Sequence, residues 1–222
     1  MTDIPLKRLL KNPKKSFLLF GPRATGKSTW IKNEIKPDLY IDLLQQKDYQ
    51  KYALNLDLLK QIIEGNKKIK TIAIDEIQKL PQLLDEVHSL IFNYPDLQFI
   101  LSGSSSRKIK KSDINLLAGR ALIRNFHTFS ILEIGANFNM TKALHFGTLP
   151  QVWNLKKSEE IKGYLTSYVQ TYLKEEIQQE AAVRNLPSYL IFLQHFAERN
   201  GQVINLQNIS NDTGIARTTL NG

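Results

Sequence analysis

Cysteine is absent from the 222 residues, which excludes disulfides and Cys-ligated zinc. No apolar run approaches the roughly 20 residues of a membrane span. The N-terminus, Met1-Thr2-Asp3-Ile4-Pro5, lacks the apolar stretch of a signal peptide. His88, His127, His145 and His195 show no HExxH or similar spacing, so each reads as a surface or core residue. No G-x-S-x-G element supports a Ser-based hydrolase triad. Internal repeats and low-complexity segments are also missing. What remains is globular composition, 42% hydrophobic and 23% charged. At 25.5 kDa it suits one large domain or two modest ones. A soluble, cytoplasmic protein with no membrane span is the expectation.

Charge is uneven. Residues 1–150 hold 23 Lys and Arg against 14 Asp and Glu, and residues 151–222 hold 7 of each. The whole net charge of +9 therefore falls in the first part. A basic first part suits a polyanion such as a nucleotide or nucleic acid, or is simply a soluble surface.

The first part alternates short apolar runs with helical spacing. Residues 7–15 read as a short basic helix ended near Asn12-Pro13. Strands are expected at 16–20, 39–43, 71–75 and 98–102, with a fifth between Ala121 and Phe129. Helices are expected at 28–35, at 48–65, and from Pro81 through Leu83, Leu84, Val87, Leu90 and Ile91. This alternation argues for βαβ units and a parallel sheet. After Pro150 the pattern becomes helical. One amphipathic stripe runs from Ile161 to Ile177, and a second from Leu190 to Ala197, closed by Asn200-Gly201. Two parts follow: an α/β core over 1–150 and a small all-α part over 151–222.

Gly21-Pro22-Arg23-Ala24-Thr25-Gly26-Lys27-Ser28 fits G-x-x-x-x-G-K-[ST]. The chemistry requires that spacing. The loop folds back so that successive N–H groups converge on phosphates, and glycine permits the positive φ and the close approach. Lys27 reaches the β- and γ-phosphates, and the Ser28 hydroxyl can ligate Mg²⁺. Thr29 continues the loop into a helix whose positive end faces the same anion. Ile72-Ala73-Ile74-Asp75-Glu76 is an apolar strand ending in two acids. Asp75 is placed to hold Mg²⁺ and Glu76 to polarise a water. The next strand ends in Ser102-Gly103-Ser104, and either serine could orient that water or sense the γ-phosphate. Arg120 reads either as an arginine finger toward a neighbouring subunit or as a salt-bridge residue. Arg107, Lys108, Lys110 and Lys111 form a basic cluster that reads as a solvated face. Residues 206–220 read as helix, Gly214 turn, then a second helix opened by Thr218. The zero net charge of that part favours packing or interaction over direct DNA binding. The chain stops where a recognition helix is barely formed and before any wing, so it reads as a truncated product or fragment.

These motifs together resemble the prokaryotic AAA-like P-loop ATPases related to the archaeal-type ATPases. The resemblance rests on GPR-x-x-GKS at Gly21 to Ser28, I-D-E-I-Q-K-x-P at Ile74 to Pro81, L-S-G-S-S at Leu101 to Ser105, and L-A-G-R at Leu117 to Arg120. Residues 200–219 are similar to the family's winged-helix entry, so the resemblance covers nearly all of the chain. It implies an additional-strand core with a parallel sheet in the order 5-1-4-3-2, followed by helices and a winged helix. Longer members carry a further C-terminal domain, often nuclease-like. Gly147-Thr148-Leu149-Pro150 departs from the usual Gly-Gly-x-Pro.

The resemblance also implies ATP as the nucleotide. The resulting expectation is Mg²⁺-dependent ATP binding with slow hydrolysis, coupled to movement of the helical part. The rival is a nucleotide-dependent switch or DNA-binding regulator with negligible turnover. DNA and a second copy of the chain are the candidate partners. A small-molecule P-loop kinase fits less well, because transfer to a substrate does not need a water-activating glutamate.

Overall fold

The structure, a computed structural model, describes residues 7–104, 119–173 and 186–217. The chain forms two compact units, residues 1–164 and 165–222.

The first unit is built on five parallel strands in the order β2-β3-β4-β1-β5. They are β1 (Phe17–Phe20), β2 (Leu39–Asp42), β3 (Thr71–Asp75), β4 (Gln98–Gly103) and β5 (Leu122–Asn125). This is the sheet order that the resemblance implied. Strands β1, β3 and β4 occupy the centre and are apolar along almost their whole length. That is the signature of strands covered on both faces. One face carries Leu18, Phe20, Ile72, Ile74, Phe99 and Leu101 against α3 (Leu58–Gly65) and α4 (Leu83–Asn93). The other carries Phe17, Leu19 and Ile100 against Trp30 and Ile31. Each such aliphatic side chain contributes roughly 1.5–3 kcal/mol on burial.

Register sets the positions of the strand ends. Leu19 pairs with Ser102 and Phe20 with Gly103, so the end of β1 lies beside the end of β4. Asp42 pairs with Asp75 across β2 and β3. After β1 the chain turns into α1 (Lys27–Trp30), which widens to i→i+5 bonding over Ile31–Ile35. Lys36, at φ 52, and Pro37 end it.

Two local expectations are corrected. The apolar spacing over 48–65 runs through a break. The chain forms α2 (Gln46–Leu54), then an extended Asn55, then α3. Residues 7–15 are not helical. Their polar groups are engaged elsewhere: the Leu9 N–H donates to Glu133 (2.9 Å), and the Arg8 guanidinium donates to the His127 carbonyl and lies over the Phe126 ring (4.1 Å). Glu133 in turn completes a capping box with Ser130 at the start of α5 (Ile131–Ile134). Replacing Ser130 by alanine should cost about 1 kcal/mol, read as a fall in melting temperature of about 2–4 °C.

Beyond β5 follow α6 (Met140–Phe146), α7 (Pro150–Asn154) and α8 (Ser158–Ser167), the last continued in wider turns to Leu173. Residues 174–177 of the expected long helix lie outside the described residues. In the second unit, α9 (Leu186–Glu198) is followed by α10 (Leu206–Thr213). Arg199 pairs with Asp212 at 2.5 Å, and Asn205 caps α10 by accepting from the Gln207 and Asn208 N–H groups. Gly214, at φ 68, makes the expected turn. Thr218 and the second helix it was to open lie outside the described residues, so no winged helix is established. Among the described residues, no helix is long and apolar enough to cross a membrane.

Candidate nucleotide site

The loop from Gly21 to Gly26 joins β1 to α1. Ala24 and Gly26 both have positive φ, at 60 and 92. A left-handed residue beside right-handed ones turns successive N–H groups toward one side, the arrangement that cradles anions. Thr25 braces the turn by donating to the Pro22 carbonyl at 2.8 Å. The Lys27 ammonium is drawn into the loop, donating to the Gly21 carbonyl at 2.6 Å and the Pro22 carbonyl at 3.0 Å. Lys27 is nearly buried, at 5% exposure, although it is a lysine in the first turn of a helix. Pro22 and Thr29 are exposed, and Arg23 and Ser28 are half-buried.

The two acids follow at the end of β3. Asp75 is 3% exposed and both of its oxygens are engaged. The Ser102 hydroxyl donates to Oδ1, and the Tyr40 hydroxyl donates to Oδ2 at 2.5 Å. Burial, and then the contact with Asp75, pushes the Tyr40 hydroxyl far above its ordinary pKa, so it remains a donor. The Ser28 hydroxyl is near enough to Tyr40 to oppose that shift in part. One tyrosine thus stands between the loop serine and the strand acid. The Lys32 ammonium lies over its ring at 4.4 Å.

Glu76 is 7% exposed and has left-handed backbone at φ 59, ψ 45. A β-strand residue followed by such a bend costs energy that the surrounding structure must sustain. Its N–H donates to the Ser102 hydroxyl at 3.4 Å, and its carboxylate accepts from the Gln78 side-chain amide. That amide also donates to Ser104 at 3.4 Å.

The structure therefore gathers Asp75, Glu76, Ser102 and Ser104 at adjoining strand ends, with Lys27 and Ser28 in the first turn of α1, directly after the loop that leaves β1. It leaves the choice between the two serines distinct in kind: Ser102 touches Asp75, and Ser104 touches Gln78. Arg120 lies apart from these contacts. Its guanidinium meets the His88 ring nitrogen and stacks over Phe92 at 5.1 Å, both on α4. The cluster from Arg107 to Lys111 falls outside the described residues. Tyr40 and Gln78 were not singled out as site residues from the sequence. Gln78 lies inside the I-D-E-I-Q-K-x-P segment, which was a signal of sorts. Tyr40 gave none, since its role arises from the pairing of β2 with β3.

The donors between the loop and β3 are the oxygens of Ser28, Tyr40 and Asp75. An all-oxygen set of so few side chains fits a small hard cation such as Mg²⁺, which keeps several waters and shares phosphate oxygens. An ammonium within a loop of convergent N–H groups fits a phosphate chain.

Residues 137–222 match the model of a domain of unknown function, DUF8612. No curated protein matches the chain. Among solved structures it is similar to domain III of the Thermotoga maritima replication initiation protein DnaA, at 14% identity and a TM-score of 0.42, over 86% of this chain and 80% of that one. It is similar also to the Aeropyrum pernix Orc1 protein in complex with DNA, at 11% identity and a TM-score of 0.44, over 90% of this chain and 71% of that one. Residues 13–135 match the model of the AAA domain family. Because that match spans all five strands and the loop after β1, the chain belongs to the AAA domain family, that of the AAA-like P-loop ATPases.

Proposed function

We propose that the protein is a cytoplasmic Mg²⁺-dependent ATPase with slow intrinsic turnover. The observation that carries this reading is the convergence of Asp75, Glu76 and Ser102 at the ends of β3 and β4, with Tyr40 between Asp75 and Ser28 of the loop-borne helix α1. The loop N–H groups from Gly21 to Gly26 and the Lys27 ammonium would bind the phosphates. Ser28 and Asp75 would hold Mg²⁺, which when bound supplies charge neutralisation at the β- and γ-phosphate oxygens. Glu76 would accept a proton from water as its oxygen bonds to the γ-phosphorus and the bond to the β–γ bridging oxygen breaks. The products are ADP and phosphate.

Glu76→Gln should abolish phosphate release, by at least about 100-fold, while leaving nucleotide affinity within about twofold. Fluorescent-nucleotide binding and a steady-state phosphate assay measure both. Unchanged release in this variant would remove Glu76 from the reaction.

Turnover would rise when a second copy or a polyanion completes the site. Arg120, exposed on the face of α4, is the proposed cation offered to a neighbouring copy. The basic first part supports DNA as the polyanion, coupled to movement of the helical part. Such binding should weaken steeply with salt, and salt-independent binding would exclude a phosphate-led mode.

A further inference from the structure

We propose that Gln78 is a positioning residue for Glu76, tying its carboxylate to the hydroxyl at the end of β4, and that residue 103 is glycine to leave room for it. The inference rests on the ATPase reading above and deepens it.

Gln78 stands in the tight turn Ile77–Lys79 directly after β3. Its Nε2 donates both to Glu76 Oε2 and to Ser104 Oγ. Its Oε1 is buried and has no hydrogen-bond partner among the described residues. The orientation of the amide is dictated by the carboxylate, because the opposite rotation would set oxygen against oxygen. A buried acceptor left unpaired is unfavourable, so the contacts at the nitrogen end must outweigh it. The turn is anchored by Ile77, which is fully buried.

Gly103 completes the arrangement. A Cβ at that position would lie 2.7 Å from Gln78 Oε1 and 3.6 Å from Gln78 Cδ. The backbone of Gly103 is not in the left-handed region, so conformation does not demand glycine there. Among the described residues the close neighbour is the Gln78 amide, which a Cβ would displace from its present position, with the Phe20 ring next at an ordinary 3.5 Å. Glu76 itself has a flexible side chain on a bent backbone. The Gln78 amide selects one orientation for the carboxylate and links it to Ser104, the hydroxyl just past the end of the neighbouring strand.

The test uses the full chain with Gln78→Ala, Gly103→Ala and the double variant. Each single change should lower the rate of phosphate release at least about tenfold while ATP affinity stays within about twofold. The double variant should be no slower than Gln78→Ala alone, because both changes remove the same contact. Melting of the nucleotide-free protein gives a readout apart from turnover. Gly103→Ala should lower the melting temperature when Gln78 is present and leave it unchanged when residue 78 is alanine. Losses that multiply, melting shifts that add, or affinity that falls in step with rate would overturn the proposal. Wild-type protein that binds ATP but releases no phosphate overturns the ATPase reading and this role with it. Wild-type turnover unaffected by Gln78→Ala overturns the role alone.

Discussion

Replacing Lys27 by alanine should weaken nucleotide binding about 10- to 100-fold and reduce phosphate release to background. The ammonium is drawn inside the loop's own turn, at 2.6 and 3.0 Å from the Gly21 and Pro22 carbonyls. A charged hydrogen bond contributes about 1.5–3 kcal/mol, which converts to roughly that range in affinity. The fold should persist, since alanine leaves the two carbonyls at the loop's edge, where water can reach them. Lys142→Ala provides the comparison. That lysine, on α6, donates to the Leu155 carbonyl at 2.9 Å and stacks over Trp153, and its removal should leave nucleotide affinity unchanged. Titration of a fluorescent nucleotide against the two variants measures the difference. Equal affinities would take the phosphate cradle away from residues 21–28.

The second large effect concerns stability. Gly21→Ala should cost about 3 kcal/mol or more. A Cβ on Gly21 would stand 1.9 Å from the carbonyl oxygen of Phe126 and 2.9 Å from its carbon. Both are backbone atoms just past β5, so no rotamer change relieves the overlap. Relief requires shifting the strand end or the loop itself. For a chain of this size the expected fall in melting temperature is about 6–12 °C or more. Gly65→Ala is the contrasting case. Nothing lies within 4 Å of a Cβ there, and the residue closes helix α3. Alanine at that position should be neutral or stabilising by up to about 1 kcal/mol. Similar melting temperatures for the two variants would contradict the packing described for the loop.

Much of the central sheet is legible in the residues because of how it is buried. β1, β3 and β4 lie between two layers, so each reads as an unbroken apolar run, and the breakers after them mark the loops. The phosphate loop is legible for another reason: its chemistry is local, confined to eight consecutive residues. The rest depends on contacts distant in sequence. The helical spacing over 48–65 carries no mark of the extended Asn55, which breaks the segment between α2 and α3. The basic residues 7–12 look like a helix in isolation, yet Arg8 finds Phe126, His127 and Glu133, more than a hundred residues away. Tyr40 reaches Asp75 only because β2 pairs with β3 in one register. Gln78 was within a noticed motif, but its contact with Ser104 requires β4 to end beside β3.

Phe126 has a mechanical consequence. Its carbonyl abuts Gly21, its ring packs at 5.7 Å from Trp30 of α1, and Arg8 covers it from elsewhere. The Gly21 N–H is also fastened to the Gly103 carbonyl at 3.3 Å. The entrance of the loop is thereby held from three sides, by a carbonyl, a ring and a backbone hydrogen bond, so a change at Phe126 is felt at the root of the phosphate cradle.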